Sequence, residues 1–336
     1  MPIVSPAPYQ PPFPFKNRHF HTIYPALFRR VQGVTYQRER ITLPDTDFLD
    51  LDWSRVSGVD DKTGSPENDQ LAIFLHGLEG SADRNYIRGM VRAFNHQGWD
   101  AAAINFRGCS GERNRLLRSY HAGATEDLES VIEHVLQHYN YERIVLVGFS
   151  LGGNLMLKYL GDTGANVPAQ IQGAVGVSVP CDLAASVEAM SVPANSIYMK
   201  RFMRHLRAKM IDKAKDYPNE IDLEPLYNMT TFYEFDNRYT APLHGFENAD
   251  VYWRTCSCLN GLTNIRIPTL ILNAADDPFL APSCFPQEAA ESNEDLYLEV
   301  PDYGGHVGFI DWQQDNYYWS ERRALDFFEH TFVGDR

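Results

Sequence analysis

The sequence predicts an α/β fold with a mostly parallel central sheet, flanking helices and an inserted helical lid. Short apolar runs rich in β-branched residues alternate with stretches whose apolar residues recur at helical spacing, as in parallel sheets. One such run, residues 144–147, leads directly into Gly148-Phe149-Ser150-Leu151-Gly152 and then into a helix-like stretch. A third observation is the long stretch 181–248, which separates a predicted strand from the next core helix. Together these observations predict one layered core with one insertion.

The predicted elements begin with a hairpin and continue as strands and helices in turn. Residues 41–43 and 48–53 suggest the hairpin, and residues 60–69 form a polar loop. Later strands are predicted at 71–75, 144–147, 173–179, 268–274 and 296–300. Two apolar stripes recur at helical spacing: Ile87, Met90, Val91 and Phe94, and Leu128, Val131, Ile132, Val135 and Leu136. Gly98 ends the first of these helices.

The domain organisation follows from these elements. Residues 1–180 and 249–336 are expected to form the core, and residues 181–248 the lid. The lid contains an apolar stripe at helical spacing: Met199, Phe202, Met203, Leu206 and Met210. Cations crowd the same stretch: Lys200, Arg201, Arg204, Arg207, Lys209, Lys213 and Lys215. Two interpretations remain open, a solvated basic face over a stripe packed on the core, or a lid that meets acidic or membrane-associated substrates.

Ser150 is the predicted nucleophile. G-x-S-x-G directly after a strand and before a helix is a nucleophile elbow, a tight turn that projects the serine hydroxyl clear of the sheet. The flanking glycines are small enough to let strand and helix meet there. A serine hydroxyl is a poor nucleophile until a base takes its proton, so the chain should also supply a histidine and a carboxylate.

The base and the acid are expected after the nucleophile, in the order Ser, Asp or Glu, His. The strand at 268–274 ends in Ala275-Asp276-Asp277-Pro278, and we assign the acid to Asp277, since Asp276 is better placed to accept from amides in the turn. His306 lies in a glycine-flanked loop just past the last strand, and we assign it as the base. The other ten histidines either precede the serine or lie in the lid or the last helix-like stretch.

Two backbone amides are expected to form the oxyanion hole. One belongs to Leu151, the residue after the nucleophile, and the second to Leu78 in the loop after the strand at 71–75. His76, which opens that loop, is expected to tie it down by hydrogen bonds rather than to take part in the chemistry.

These motifs together resemble the α/β-hydrolase superfamily and, more narrowly, the AB hydrolase 4 family of YheT-type esterases and their eukaryotic ABHD relatives. The narrower resemblance rests on five blocks, at residues 17–24, 105–112, 118–121, 240–246 and 306–309. It covers roughly residues 17–332. The resemblance implies a serine hydrolase that acts on carboxylic esters, with some eukaryotic relatives acting as acyltransferases or phospholipases.

We therefore predict a serine carboxylic-ester hydrolase that works through an acyl-enzyme and needs no metal and no organic cofactor. Its expected partner is a small acyl ester, which can be lipid-like. Two alternatives stay open: acyl transfer to an alcohol by the same triad, and a binding protein that kept the triad but lost turnover.

Composition excludes several other classes of protein. A net charge of −14 disfavours a nucleic-acid surface, because phosphate binding depends on clustered Lys and Arg. The sequence has no run of 18 apolar residues for stable membrane insertion and does not begin like a signal peptide, which favours the cytoplasm. Five widely spread cysteines indicate free thiols, and Cys256-Ser257-Cys258 lacks a second ligand pair for zinc.

Overall fold

A computed structural model describes residue 4 and residues 8–56, 68–312 and 316–333. Most of the polar loop predicted at 60–69 lies outside these residues. The described chain forms an eight-stranded sheet. Its strands are β1 (Gln37–Thr42), β2 (Phe48–Ser54), β3 (Gln70–Leu75), β4 (Asp100–Asn105), β5 (Arg143–Phe149), β6 (Ile171–Val177), β7 (Thr269–Leu272) and β8 (Leu296–Glu299).

Helices connect and cover these strands. In the described ranges they are α1 (Arg18–Phe28), α2 (Asn85–His96), α3 (Thr125–His138), α4 (Leu151–Thr163), α5 (Leu183–Met190), α6 (Ser196–Lys213), α7 (Phe232–Phe235), α8 (Ala241–Leu243), α9 (Ala249–Cys256), α10 (Gln287–Ser292) and α11 (Trp319–Val333). A π-helical turn at Asp236–Thr240 joins α7 to α8. None of these helices combines the length and the apolarity that crossing a bilayer requires.

The sheet order is β1-β2-β4-β3-β5-β6-β7-β8. β2 pairs antiparallel with β1 and with β4, and every other pair is parallel, which confirms the mostly parallel sheet. The carboxyl ends of β3, β5, β6, β7 and β8 therefore share one edge, where ligands bind in open sheets of this kind.

The predicted strands are confirmed, with small differences at their ends. β6 stops at Val177 because Ser178 takes a positive φ of 53°, which an extended strand cannot contain. β7 stops at Leu272, and the next side chain, Asn273, bonds to Val179 and Cys284 across the sheet edge. These ends already belong to the loops that carry the site.

Apolar side chains cover both faces of the sheet. On one face α3, α4 and α10 pack on the strands, and on the other α2 and α11 do so. Phe94 of α2 is fully buried and meets Phe74 of β3 edge to face, with ring centroids 5.5 Å apart. Burying one such side chain stabilises the fold by about 1.5–3 kcal/mol. All five cysteines are free, as predicted, and four of them are buried.

Helices α5, α6, α7, α8 and α9, which lie between β6 and β7 in the chain, form a third apolar cluster. This cluster also contacts Leu78, Leu151 and Phe279, which lie in loops or at a helix start at the carboxyl edge of the sheet. The insertion thus packs directly over that edge.

Candidate active site

Ser150 lies on the turn between β5 and α4, with φ 51° and ψ −123°. A positive φ is rare outside glycine and is held here by the surrounding structure. The two motif glycines make the turn possible, because a Cβ at Gly148 would collide with the backbone of Gly152 and Gly153, and one at Gly152 with the carbonyl of His76. The strand, the turn and the helix are as the sequence predicts.

The structure brings Ser150, His306 and Asp277 together. The Ser150 hydroxyl lies 3.0 Å from Nε2 of His306, and Nδ1 of the same ring lies 2.9 Å from Oδ2 of Asp277. When Nδ1 carries the proton it donates to the carboxylate, and Nε2 is left to accept from the serine hydroxyl. The Asp277 side chain is fully buried and that of His306 is 10% exposed, so the imidazole meets the cavity while the carboxylate does not.

The two neighbouring aspartates have different partners. Oδ1 of Asp277 also accepts from the amide of Phe279, at 2.9 Å. Asp276 accepts from the amide of Gly305 at 2.8 Å, and its Oδ2 is buried without a partner among the described residues. Burial, aided by the charge of Asp277, raises the pKa of Asp276 to about 6. Asp276 thus holds the loop that carries His306, whereas Asp277 holds the imidazole itself.

The loop of His306 is also held by α1. The amide of His306 donates to the hydroxyl of Thr22 at 2.9 Å, and the amide of Val307 to that of Ser178 at 2.9 Å. His21 accepts from the amide of Ile310 through Nε2, and burial lowers the pKa of His21 to about 4. The block at residues 17–24 therefore supports the histidine loop, a role that no motif in the sequence indicates.

The amides of Leu78 and Leu151 meet no acceptor among the described residues. Leu151 is the first residue of α4, whose leading N–H groups have no partner within the helix. Both leucines and Ser150 line one cavity. His76 ties down the neighbouring loop, as expected, with Nδ1 2.8 Å from the Gly77 carbonyl and Nε2 accepting from Phe106. Complete burial lowers its pKa to about 3, which keeps the ring neutral.

Backbone strain is concentrated around these residues. Of the seven described non-glycine residues with a positive φ, five are at or beside the site: Glu79, Ser150, Ser178, Val307 and Phe309. Such conformations cost about 1–3 kcal/mol each and persist only where packing and hydrogen bonds impose them. The loops are therefore fixed in place by their surroundings.

Two cavities open on Ser150 and His306. The first, of about 170 Å³, is lined mainly by apolar side chains, among them Leu183, Met190, Phe232, Phe235 and Trp253. The second, of about 660 Å³, extends towards α1 and the start of α6. Six residues line both cavities: Leu78, Glu79, Ser150, Phe202, Phe279 and His306.

The predicted apolar stripe of α6 lies partly in the wall of the first cavity and partly in the buried apolar cluster. Phe202, Leu206 and Met210 line the first cavity, whereas Met199 and Met203 are buried in the apolar cluster and line neither cavity.

His121 and His244 form part of the wall of the first cavity, which the sequence did not indicate. Their rings lie 4.5 Å apart, and Nε2 of His244 accepts from the Ser119 amide. Burial, followed by the neighbouring His244, lowers the pKa of His121 to about 3, and burial also lowers that of His244. These neutral rings join the insertion to the core. The described residues hold no cluster of three or more His, Cys, Asp or Glu side chains suited to a metal ion.

Comparison with known proteins agrees with the fold. A family model described as alpha/beta hydrolase fold matches residues 72–311. "Putative esterase YheT" of Escherichia coli is 36% identical over 308 residues, which are 91% of this chain and 88% of that protein. "Phospholipase ABHD3" of Homo sapiens is 30% identical over 291 residues, or 85% of this chain and 70% of that protein. An esterase structure from Pyrococcus furiosus shares the fold, with a TM-score of 0.58 at 18% identity over 90% of this chain and 96% of that one.

Proposed function

The chain is a hydrolase of the α/β-hydrolase family, related to YheT and ABHD3, and we propose that it cleaves carboxylic esters through an acyl-enzyme formed on Ser150. The observation that carries the proposal is the unbroken chain of contacts from Ser150 through His306 to the buried carboxylate of Asp277. The serine hydroxyl is within hydrogen-bond reach of the imidazole, and the imidazole is within reach of the carboxylate, as covalent catalysis by serine requires.

The reaction follows from this geometry in two halves. Ser150 Oγ attacks the ester carbonyl while Nε2 of His306 takes its proton, and Asp277 stabilises the imidazolium that forms. The carbonyl oxygen becomes an oxyanion and accepts from the free amides of Leu78 and Leu151. The intermediate then expels the alcohol, which takes the proton from His306. Water attacks the acyl-enzyme by the same route, releasing the acid and restoring the serine.

The insertion at residues 181–248 acts as the lid in this proposal, with residues 1–180 and 249–336 as the core. It closes the apolar cavity with Phe202, Leu206 and Met210, which suits the acyl chain of the substrate. It also reaches the oxyanion loop, because Lys209 of α6 pairs with Glu79 at 2.9 Å, next to Leu78. Glu79 in turn accepts from the hydroxyl of Tyr120 at 2.7 Å.

Labelling and turnover of the Ser150→Ala variant test the proposal. A fluorophosphonate probe should label the native protein and not the variant, and hydrolysis of p-nitrophenyl esters should fall by on the order of 10³-fold or more. Ser130→Ala is the matched control, because its hydroxyl only donates to the Glu126 carbonyl on the surface of α3.

The products separate the proposal from its alternatives. Free acid should form whether or not an alcohol is added. If the acyl group passes to the added alcohol instead, the protein is an acyltransferase. Labelling of native protein without turnover of any ester would indicate a binding protein.

A further inference from the structure

The cavity of about 660 Å³ differs in chemistry from the apolar cavity with which it shares Ser150 and His306. Seven of its lining side chains are cationic or basic: Arg29, Arg84, Lys200, Arg201, Arg204, His205 and His306. Phe202 and Phe279 line both cavities and lie between them at the nucleophile. The acyl and alcohol halves of an ester bound at Ser150 can therefore lie in different environments, one in the apolar cavity and the other in the cavity lined by cations.

The acidic residues that line this larger cavity are already paired. Glu79 is bound by Lys209, and Asp83 pairs with Arg88 at 3.1 Å. A further cation of the wall, Arg29, is neutralised by Glu321 at 2.6 Å. Each of these acids therefore forms its ion pair with a cation other than Arg84, Arg201 and Arg204.

Three arginines of the cavity have no carboxylate partner within ion-pair distance in the described part of the chain. Arg84 donates to the backbone carbonyl of Glu79, and Arg204 contacts His205. Arg201 makes no hydrogen bond or ion pair with the described residues and is exposed to the cavity. Its pKa is lowered, first by partial burial of the guanidinium and then by the charges of Arg84 and Arg204.

The other cations of α6 and its end have protein partners. Arg207 donates to the carbonyls of Leu226 and Met229, Lys213 to that of Leu116, and Lys215 pairs with Asp212. Some cations of this helix and its end thus bind protein partners, whereas Lys200, Arg201 and Arg204 line the larger cavity beside Ser150. In a chain with a net charge of −14, an unneutralised group of this kind is a specific feature rather than a general basic surface.

We propose that this cavity, the cationic chamber, binds the alcohol half of the ester and recognises an anionic group of the phosphate or carboxylate type on it. The acyl chain then occupies the apolar cavity. Guanidinium groups present paired donors that match both kinds of anion, and the anion relieves the repulsion among Arg84, Arg201 and Arg204. The inference rests on the proposed ester hydrolysis and adds the class of alcohol to it.

A set of octanoyl monoesters tests the inference at concentrations below micelle formation. The esters of glycerol, glycerol phosphate and glycerophosphocholine share the acyl group and differ in the charge of the alcohol half. We expect kcat/KM for the glycerol phosphate ester to exceed that for the glycerol ester by about tenfold to a hundredfold, the worth of one or two charge-assisted hydrogen bonds. High salt should reduce this ratio, because the chamber is open to solvent.

Variants of Arg201 should change the ratio rather than the fold. We expect the ratio of kcat/KM for the glycerol phosphate ester to that for the glycerol ester to fall towards one in Arg201→Gln. In Arg201→Lys the ratio should take an intermediate value, because lysine keeps the positive charge but lacks the paired donors of the guanidinium. Lys215→Gln is the matched control, since it removes one charge near the end of the same helix outside both cavities, and it should keep the native ratio.

Each other outcome overturns one part of the reasoning. Equal kcat/KM for the three esters, or a preference for the zwitterionic phosphocholine, refutes the inference and leaves ester hydrolysis standing. If inorganic phosphate inhibits hydrolysis of the glycerol ester while the phosphate ester has no advantage, the chamber binds free phosphate instead. If vesicles of phosphatidylglycerol accelerate all three esters equally, the cations contact a membrane surface. Failure of the native protein to hydrolyse any ester refutes the proposed function, and the inference with it.

Discussion

Exchange of Asp277 for asparagine should remove most of the activity while leaving the contact with the loop intact. Oδ1 of Asp277 accepts from the amide of Phe279 at 2.9 Å, so the carbonyl oxygen of an asparagine stays on that side. Its NH₂ group then replaces Oδ2, which lies 2.9 Å from Nδ1 of His306. Two donors cannot face each other, so Nδ1 must give up its proton and accept.

The consequence reaches the nucleophile directly. With Nδ1 unprotonated, Nε2 of His306 carries the proton and points it at the Ser150 hydroxyl, 3.0 Å away, where it can no longer act as the base. The expected loss in kcat is on the order of 10⁴-fold, equivalent to about 5 kcal/mol of transition-state stabilisation.

Asp276→Asn is the matched comparison. Its Oδ1 accepts from Gly305, which an amide oxygen also does, and it makes no contact with the imidazole. We expect a loss of less than about tenfold, in line with a positioning role. Steady-state hydrolysis of a p-nitrophenyl ester, with melting temperature as the control for folding, measures both variants. A larger loss in Asp276→Asn than in Asp277→Asn would transfer the acid to Asp276 and refute this reasoning.

Two further predictions concern the pocket and the pH dependence of stability. Phe202→Ala should shift the preferred acyl-chain length in a p-nitrophenyl ester series, because Phe202 lines the apolar cavity. Met203→Ala should leave the chain-length profile unchanged and lower the free energy of unfolding by about 2–5 kcal/mol, because Met203 is buried outside the cavity. Equal chain-length profiles for the two variants would contradict the assignment. The pKa of Asp276, raised to about 6 by burial, makes the folded state bind more protons than the unfolded state between about pH 4 and 6, so its contribution to stability falls as pH rises through that range. Denaturant melts of native protein and Asp276→Asn across this range should show that the variant lacks this fall, and parallel curves would refute it.

The sequence was sufficient for the parts of the site that depend on local pattern. Each predicted catalytic residue follows a strand, and short apolar runs identify the strands in the sequence. Because the carboxyl ends of parallel strands meet at one edge of the sheet, residues that follow different strands are brought together there. The position of Ser150 followed from the strand before it and the glycines around it. These inferences depend on the hydrophobic periodicity of the sequence and on the order of its strands and helices. They require no distance between residues that are far apart in the chain.

The sequence favoured Asp277 over Asp276 as the acid, but the contacts that distinguish the two carboxylates are visible only in the structure. Asp276 and Asp277 differ by one position, and the turn alone decides which carboxylate meets His306. The same holds for α1, because the contact between Thr22 and the amide of His306 joins residues 284 positions apart. Periodicity carries no information about contacts at that separation.

The apolar stripe of α6 shows the limit of helical spacing most clearly. Residues four apart form ridges on a helix, and the five apolar side chains belong to two of them. Phe202, Leu206 and Met210 form the ridge that lines the cavity, and Met199 and Met203 form the adjacent ridge that packs in the cluster. A stripe broad enough to cover both ridges looks uniform in the sequence, although only one ridge meets substrate in the proposed reaction.

Helix α6 contributes to several parts of the proposed site. Phe202 lines both cavities, Arg201 lines the cationic chamber, and Lys209 pairs with Glu79 next to Leu78, whose amide is the proposed oxyanion donor. These three side chains lie on one helix of 18 residues, so the walls of both cavities and the pair between Lys209 and Glu79 share one element. In the proposed reaction one helix therefore contributes both to the binding of the two halves of the ester and to the position of the loop that carries Leu78.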